Sequence, residues 1–213
     1  DASQSISLAN VSGKFRFSGR AAHASASPEK GRSALDGVEV MNVAVNYLRE
    51  HIPDGTRIHY VVTDGGQAPN VVPDKAEVYY YVRHTDPEVV RDVIARVQKA
   101  AEGAATATET KVTFEQTGGV YNMLPNDTLG RLMDRNLREV GGVKYDAQDT
   151  VFAEAMVKQL PPSKATIANA AQIDTYTLGG GGGGSTDVAD VSWVTPTAGM
   201  TAATWVQIGR AHV

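Results

Sequence analysis

Cysteine is absent from all 213 residues. This excludes disulfides, thiolate metal sites and a thiol nucleophile, and it fits a cytoplasmic protein. A basic excess is absent too. Lys and Arg number 20 against 24 Asp and Glu, a formal net charge of -4, so the chain lacks the positive footprint of a nucleic-acid binder. No apolar run approaches the roughly 20 residues of a membrane-crossing helix. Residues 1–10 are polar, with no basic-then-apolar signal pattern. No Met opens the chain, and the expectation is that it starts inside a longer one. Motifs are missing as well: no His-Glu-x-x-His, no adjacent Glu-Glu pair and no Gly-x-Ser-x-Gly elbow. No Lys/Arg-Gly-aromatic signature of an RNA-recognition sheet occurs. A Ser–His–acid triad stays open on composition. The hydrophobic share of 42% is that of an ordinary globular chain, enough for one large domain or two small ones.

What is present is a clear succession of patterns. Residues 11–18 alternate, with Phe15 and Phe17 on one face and Lys14 and Arg16 on the other, which predicts a half-buried strand. Across residues 33–52, Leu35, Val38, Met41, Val45, Leu48 and Ile52 recur at helical steps. Pro53, Asp54 and Gly55 stop that helix. Residues 57–63 and 76–83 are β-branched and aromatic and predict two more strands, separated by the Asp64-Gly65-Gly66 turn and a Pro-containing loop. Asp86-Pro87-Glu88 opens a second helix: Asp caps, Pro suits the first helical position, and Glu favours the positive end. Residues 111–116 predict a fourth strand. Strand, helix, strand, strand, helix, strand is the ferredoxin-like βαββαβ arrangement, an α+β fold with two helices on one face of a four-stranded antiparallel sheet. It occupies residues 11–119. After Gly119 the pattern changes to a helix over 126–140, a second over 147–159, a weakly patterned stretch, and six glycines at 179–184. By composition that run reads as a flexible linker, and residues 120–206 read as part of a domain.

Few side chains invite chemistry. His51, His59 and His84 sit at element ends or in a strand with nothing nearby to support a site. His23 lies in a small-residue loop, GRAAHASASPEKGRSALD, where other groups can approach closely. Arg83, at a strand end, reads as a solvated charge, although its planar guanidinium would suit a carboxylate.

A resemblance changes that balance. The stretches FRFSGRAAHASASPEKGRSALDGVEVMN, GGQAPNVVPDKAEVYYYVRH and GSTDVADVSWVTPT resemble, in the same order, motifs of the aminoacylase/carboxypeptidase-type metallopeptidases, a family of two-metal amidohydrolases. The likeness implies an α/β zinc-peptidase-like catalytic domain interrupted by a ferredoxin-like lid that mediates dimerisation. Residues 1–10 would then be the tail of a preceding catalytic segment, 11–119 the lid, and 120–206 part of the second catalytic segment. It further implies hydrolysis of an amide bond to an amino acid, with an aminobenzoyl-glutamate-like substrate. The full-length parent would use two divalent metal ions, zinc or manganese. No metal ligand is assigned in this chain, and as it stands it is expected to bind no metal and to be inactive. By the same resemblance His23 is the lid His that crosses to the partner's active site and polarises the scissile carbonyl, a contribution of about 3 kcal/mol for one donor. Asn70 contacts substrate or the tetrahedral intermediate, Arg83 grips a substrate carboxylate, and Gly184, Ser185 and Thr186 line the substrate pocket. The partners implied are a small amide or peptide substrate and a second copy of the chain, with room for a related second subunit. Nucleic acid and membrane are not expected. The alternative reading is a stand-alone ferredoxin-like dimerisation or ligand-binding module.

Residues 207–213 (QIGRAHV) depart from the family pattern, in which a metal-ligand His occupies the place of His212. One choice of codons for Ile208 to Val213 reproduces a sequencing-library adapter. These residues are expected to be translated adapter, and His212 not to be a ligand.

Overall fold

A computed structural model describes residues 1–159 and 167–202. Strand β1 is Gln4–Ile6, and β2 is Ala9–Ser18. Helix α1, Ala34–Leu48, is capped by the Ser33 side chain, which accepts from the Asp36 amide, and runs into a 3₁₀ turn at Arg49–His51. Strands β3 (Arg57–Asp64) and β4 (Lys75–His84) follow, then α2 (Pro87–Ala107) and β5 (Lys111–Val120). The Asp86 carboxylate accepts from the Glu88 amide and starts α2, with Pro at the first turn, as the Asp-Pro-Glu triplet predicts. Beyond these lie α3 (Asp127–Val140), α4 (Ala147–Val157), β6 (Leu178–Gly181) and the short α5 (Val188–Ser192).

The chain divides into two compact units. The first comprises Ser7–Met123 and Gly182–Asp190. Its sheet has the order β3-β4-β2-β5, every neighbour antiparallel, which is the ferredoxin-like topology. Both helices pack on one face of it. The alternation in β2 and β4 sends Phe15, Phe17, Ala76, Val78, Tyr80 and Val82 into the core beneath them. Val38, Met41 and Val45 from α1, and Val90, Val93 and Val97 from α2, close that core. Gly37 lets α1 approach closely: a Cβ there would lie 2.5 Å from the Phe17 ring.

The opposite face is polar. Glu77 takes Lys14 Nζ at 2.9 Å, Arg16 Nε at 2.6 Å and the Thr63 hydroxyl at 2.8 Å. These donors, Lys14 foremost, hold the Glu77 carboxyl below its usual range. The strand β5 continues past the predicted end at Gln116 because Gly118 and Gly119 pair with Ser12 and Val11. Thr117 is the extra residue of a bulge there, and its hydroxyl lies 3.1 Å from Ser12 Oγ and 3.0 Å from the Tyr79 hydroxyl.

The second unit comprises Asp1–Ile6, Leu124–Gly181 and the chain from Val191. Here the linker reading of the glycine run gives way. Leu178–Gly181 form β6, parallel to β1. Glycine supports this because Gly179 adopts φ 77°, a left-handed conformation that other residues rarely take. In α3 the Asn126 side chain accepts from the Leu129 amide, and Asp146 and Asp149 form a reciprocal capping box on α4.

Candidate functional site

The candidate residues gather at two ends of the first unit. At one end, β2 runs out at Ser18 and the chain loops back over the β3–β4 connection. His23 forms an antiparallel bridge with Val71. The Ala24 amide donates to the Asn70 carbonyl at 2.9 Å, and the Val72 amide to the Ala22 carbonyl at 2.9 Å. Two stretches distant in sequence thus hold His23 and Asn70 side by side, both exposed. Arg20 and Arg32 bridge the base of the loop, each amide 2.9 Å from the other's carbonyl. Gly19 makes that base possible, since a Cβ there would collide with the Arg32 carbonyl. The His23 ring is held by its own loop: the Ser25 amide lies 3.3 Å and the Ala26 amide 3.2 Å from Nδ1.

At the other end, Arg83 lies opposite Asn10 of β2 and Arg57 of β3. Its guanidinium sits over the Tyr81 ring at 5.2 Å, a cation–π contact that orients the fork. Its Nε is buried and makes no hydrogen bond within the described residues, and the same holds for Ser185 Oγ. Gly184 reaches this end directly, because its carbonyl accepts from the Leu8 amide at 2.8 Å, just before β2 begins. Thr186 turns the chain into α5: its carbonyl accepts from the Ala189 amide. The structure therefore places Arg83 at the same end as Gly184, Ser185 and Thr186, joins His23 with Asn70, and separates the two sets. From Ser18 to Asn10, at about 3.3 Å per residue, β2 itself spans roughly 25 Å between these two ends.

The remaining histidines have local employment. The His84-x-Asp86 spacing has the form of a metal-ligand pair, but it serves the start of α2. His84 Nδ1 accepts from the Asp86 amide at 2.9 Å, and Nε2 bonds the Asp54 carbonyl at 3.1 Å. Burial, and then Arg83, Arg49 and Arg57, push the His59 pKa down. Among the described residues no group of three or more His, Asp or Glu could hold a metal ion. The described side chains thus do not fit a metal. His212 lies outside the described residues.

With that geometry in place, the comparisons fall into order. Residues 9–109 match the family of the peptidase dimerisation domain. The chain is 36% identical over 220 residues to one of the subunits of the p-aminobenzoyl-glutamate hydrolase of Escherichia coli (strain K12), covering 90% of this chain and 45% of that protein. It is 28% identical over 138 residues to Xaa-Arg dipeptidase of Mus musculus, covering 64% of this chain and 32% of that one. In structure it resembles an aminobenzoyl-glutamate utilization protein from Klebsiella pneumoniae, with a TM-score of 0.59, 18% sequence identity, 89% of this chain covered and 42% of the other. The chain thus spans less than half the length of the relatives it matches.

Among the described residues, no helix is long and apolar enough to cross a membrane.

Proposed function

We propose that this chain is the lid-bearing part of a metal-dependent amidohydrolase. It would cleave an amide bond to an amino acid in a substrate resembling aminobenzoyl-glutamate. The observation that carries this reading is the pair of buried polar atoms without partners, Arg83 Nε and Ser185 Oγ, at one end of the sheet. Buried donors are normally satisfied, and a carboxylate is an acceptor suited to the Arg83 guanidinium. Two of the relatives bear aminobenzoyl-glutamate in their names, which supports that substrate class.

His23 and Asn70 would act on the scissile carbonyl. A side-chain N–H aimed at the oxygen stabilises the charge that develops on it during attack. A small substrate cannot span the length of β2, so one site that uses both residue sets needs two copies of the chain. Two exposed apolar features would suit such a homodimer. Strand β3 is an edge of the sheet, and Val61 is 55% exposed on it. On α1, Val40, Val43 and Tyr47 form an exposed apolar stripe. A subunit related to this chain could take the second place. The divalent metals of such a hydrolase, which activate water for attack, would be held by residues other than those described. The cytoplasm is the proposed compartment, on the absence of cysteine.

The test is steady-state hydrolysis of p-aminobenzoyl-glutamate by the intact hydrolase with His23→Ala. Loss of one oxyanion donor should lower kcat by about 10²–10³-fold with little change in KM. Wild-type kcat in the variant would refute the assignment.

A further inference from the structure

We infer that the His23 loop selects the ring tautomer, with the proton on Nε2, and that Ser25 and Ala26 are positioning residues for that choice. The inference rests on the proposed role of His23 for its functional meaning, but not for its geometry.

Two of the groups around Nδ1 can only donate. The Ser25 and Ala26 amides lie 3.3 Å and 3.2 Å from Nδ1, and a backbone N–H has no acceptor capacity. A proton on Nδ1 would face two N–H groups head on. The Ser25 hydroxyl, 3.3 Å from the same nitrogen, can donate or accept, so it follows whichever state the amides impose. With Nδ1 kept as an acceptor, the neutral ring carries its proton on Nε2. A ring flipped about its axis would present carbon to both amides, which favours the orientation observed.

The backbone that carries the two amides is itself fixed. The Ser27 amide donates to the His23 carbonyl at 3.1 Å, and the Ala24 amide to the Asn70 carbonyl at 2.9 Å. The loop thus closes on the His23 ring from its C-terminal side, leaving Nε2 without a bond among the described residues. A donor with a defined direction is what stabilisation of a carbonyl oxygen requires. Selecting the tautomer in advance removes a rearrangement from the chemical step. Small residues at positions 24–26 allow this tight wrap, which accounts for the Ala-Ser-Ala sequence after the histidine.

The test is long-range proton–nitrogen correlation NMR on the full 213-residue chain with labelled histidine, the His23 signals being assigned by their loss in His23→Gln. With the ring neutral, the expected result is an unprotonated, acceptor-type Nδ1 and a protonated Nε2. The opposite pattern, or the averaged signals of a ring exchanging between tautomers, would overturn the inference. Ser25→Ala keeps the amide and should keep the wild-type pattern; a shift to averaged signals would contradict control by the amides. Ser25→Pro removes one amide donor and should move the signals toward the average. Wild-type signals in that variant count against the inference, and if it does not fold the wild-type spectrum alone still decides. The outcomes also separate the two readings. An Nε2-protonated ring with wild-type kcat in His23→Ala leaves the tautomer standing and ends the catalytic assignment. An Nδ1-protonated ring with a collapsed kcat does the reverse.

Discussion

Arg83 illustrates how a single side chain acquires meaning from its surroundings. In sequence it is a charge at a strand end. In the fold its guanidinium stacks on Tyr81 and its Nε is sheltered without a partner. Arg57 stands directly across the ladder, and like charges in that position are destabilising. A bound carboxylate would relieve that repulsion. Arg83→Lys keeps the charge but loses the planar fork. In the intact hydrolase it should raise KM about tenfold, the value of one charge-assisted hydrogen bond, and change kcat less. An unchanged KM in steady-state kinetics would remove Arg83 from the substrate site. His23 and Asn70 were legible as candidates only through a motif resemblance, because nothing in local sequence brings the two loops together. The bridge between His23 and Val71 does so. The role of His84 in bridging Asp54 and Asp86 was equally hidden, since these partners are contributed by two different turns.

In the four-stranded sheet, β3 is an edge strand with most of its residues exposed. An edge strand with apolar side chains invites pairing with another chain, and a charge on it is the usual protection. If the proposed homodimer forms through this edge, Val61→Lys should shift it from dimer to monomer in sedimentation velocity while leaving its circular dichroism intact; a dimer that persists would exclude this edge as the interface. Strand β4 carries a second prediction. The Glu77 carboxyl is depressed below 4.5, chiefly by its bond to Lys14. A depressed carboxylate adds stability above its unfolded pKa, and that stability disappears as the pH falls through the folded value. Glu77→Gln should flatten the acid limb of a plot of unfolding free energy against pH, below about pH 4.5. Equal acid limbs in variant and wild type would show that the clamp contributes nothing. The strands and helices of the first unit were readable because alternation and helical spacing coincide with turn chemistry at every break. The end of β5 and the strand within the glycine run were not. Both depend on partners, Ser12 and Val11 for β5 and residues 4–6 for β6, and glycine offers no side-chain pattern to read.

At the scale of the whole chain the two units differ in what they bury. The buried apolar cluster lies wholly within residues 9–105. In the second unit the described buried hydrophobic residues are Ala2 and Ala153, whereas Val151 and Phe152 are 68% and 69% exposed. The first unit should therefore carry the cooperative transition. A protein of residues 7–123 should unfold in a single calorimetric transition. It lacks the bonds from Leu8 to Gly184 and from Tyr121 to Asp190. Two such bonds are worth about 1–2 kcal/mol, so its Tm should fall within about 10 °C of the main transition of the whole chain. A gradual, non-cooperative melt would place part of the folding energy in the second unit.

In the first unit, the order of the sheet strands and the two long helices, the faces of those helices and the composition of the core were determined by the sequence itself. Each depends on spacing between near neighbours and on residues that cap or break. The tertiary structure alone decided which candidates share a site. His23 meets Asn70, and Arg83 shares an end of the sheet with Ser185, across long stretches of chain, while the length of β2 keeps the two pairs apart. It also decided that the His23 ring is gripped at Nδ1, because that depends on where two amide hydrogens point. Periodicity carries no information about the direction of a donor.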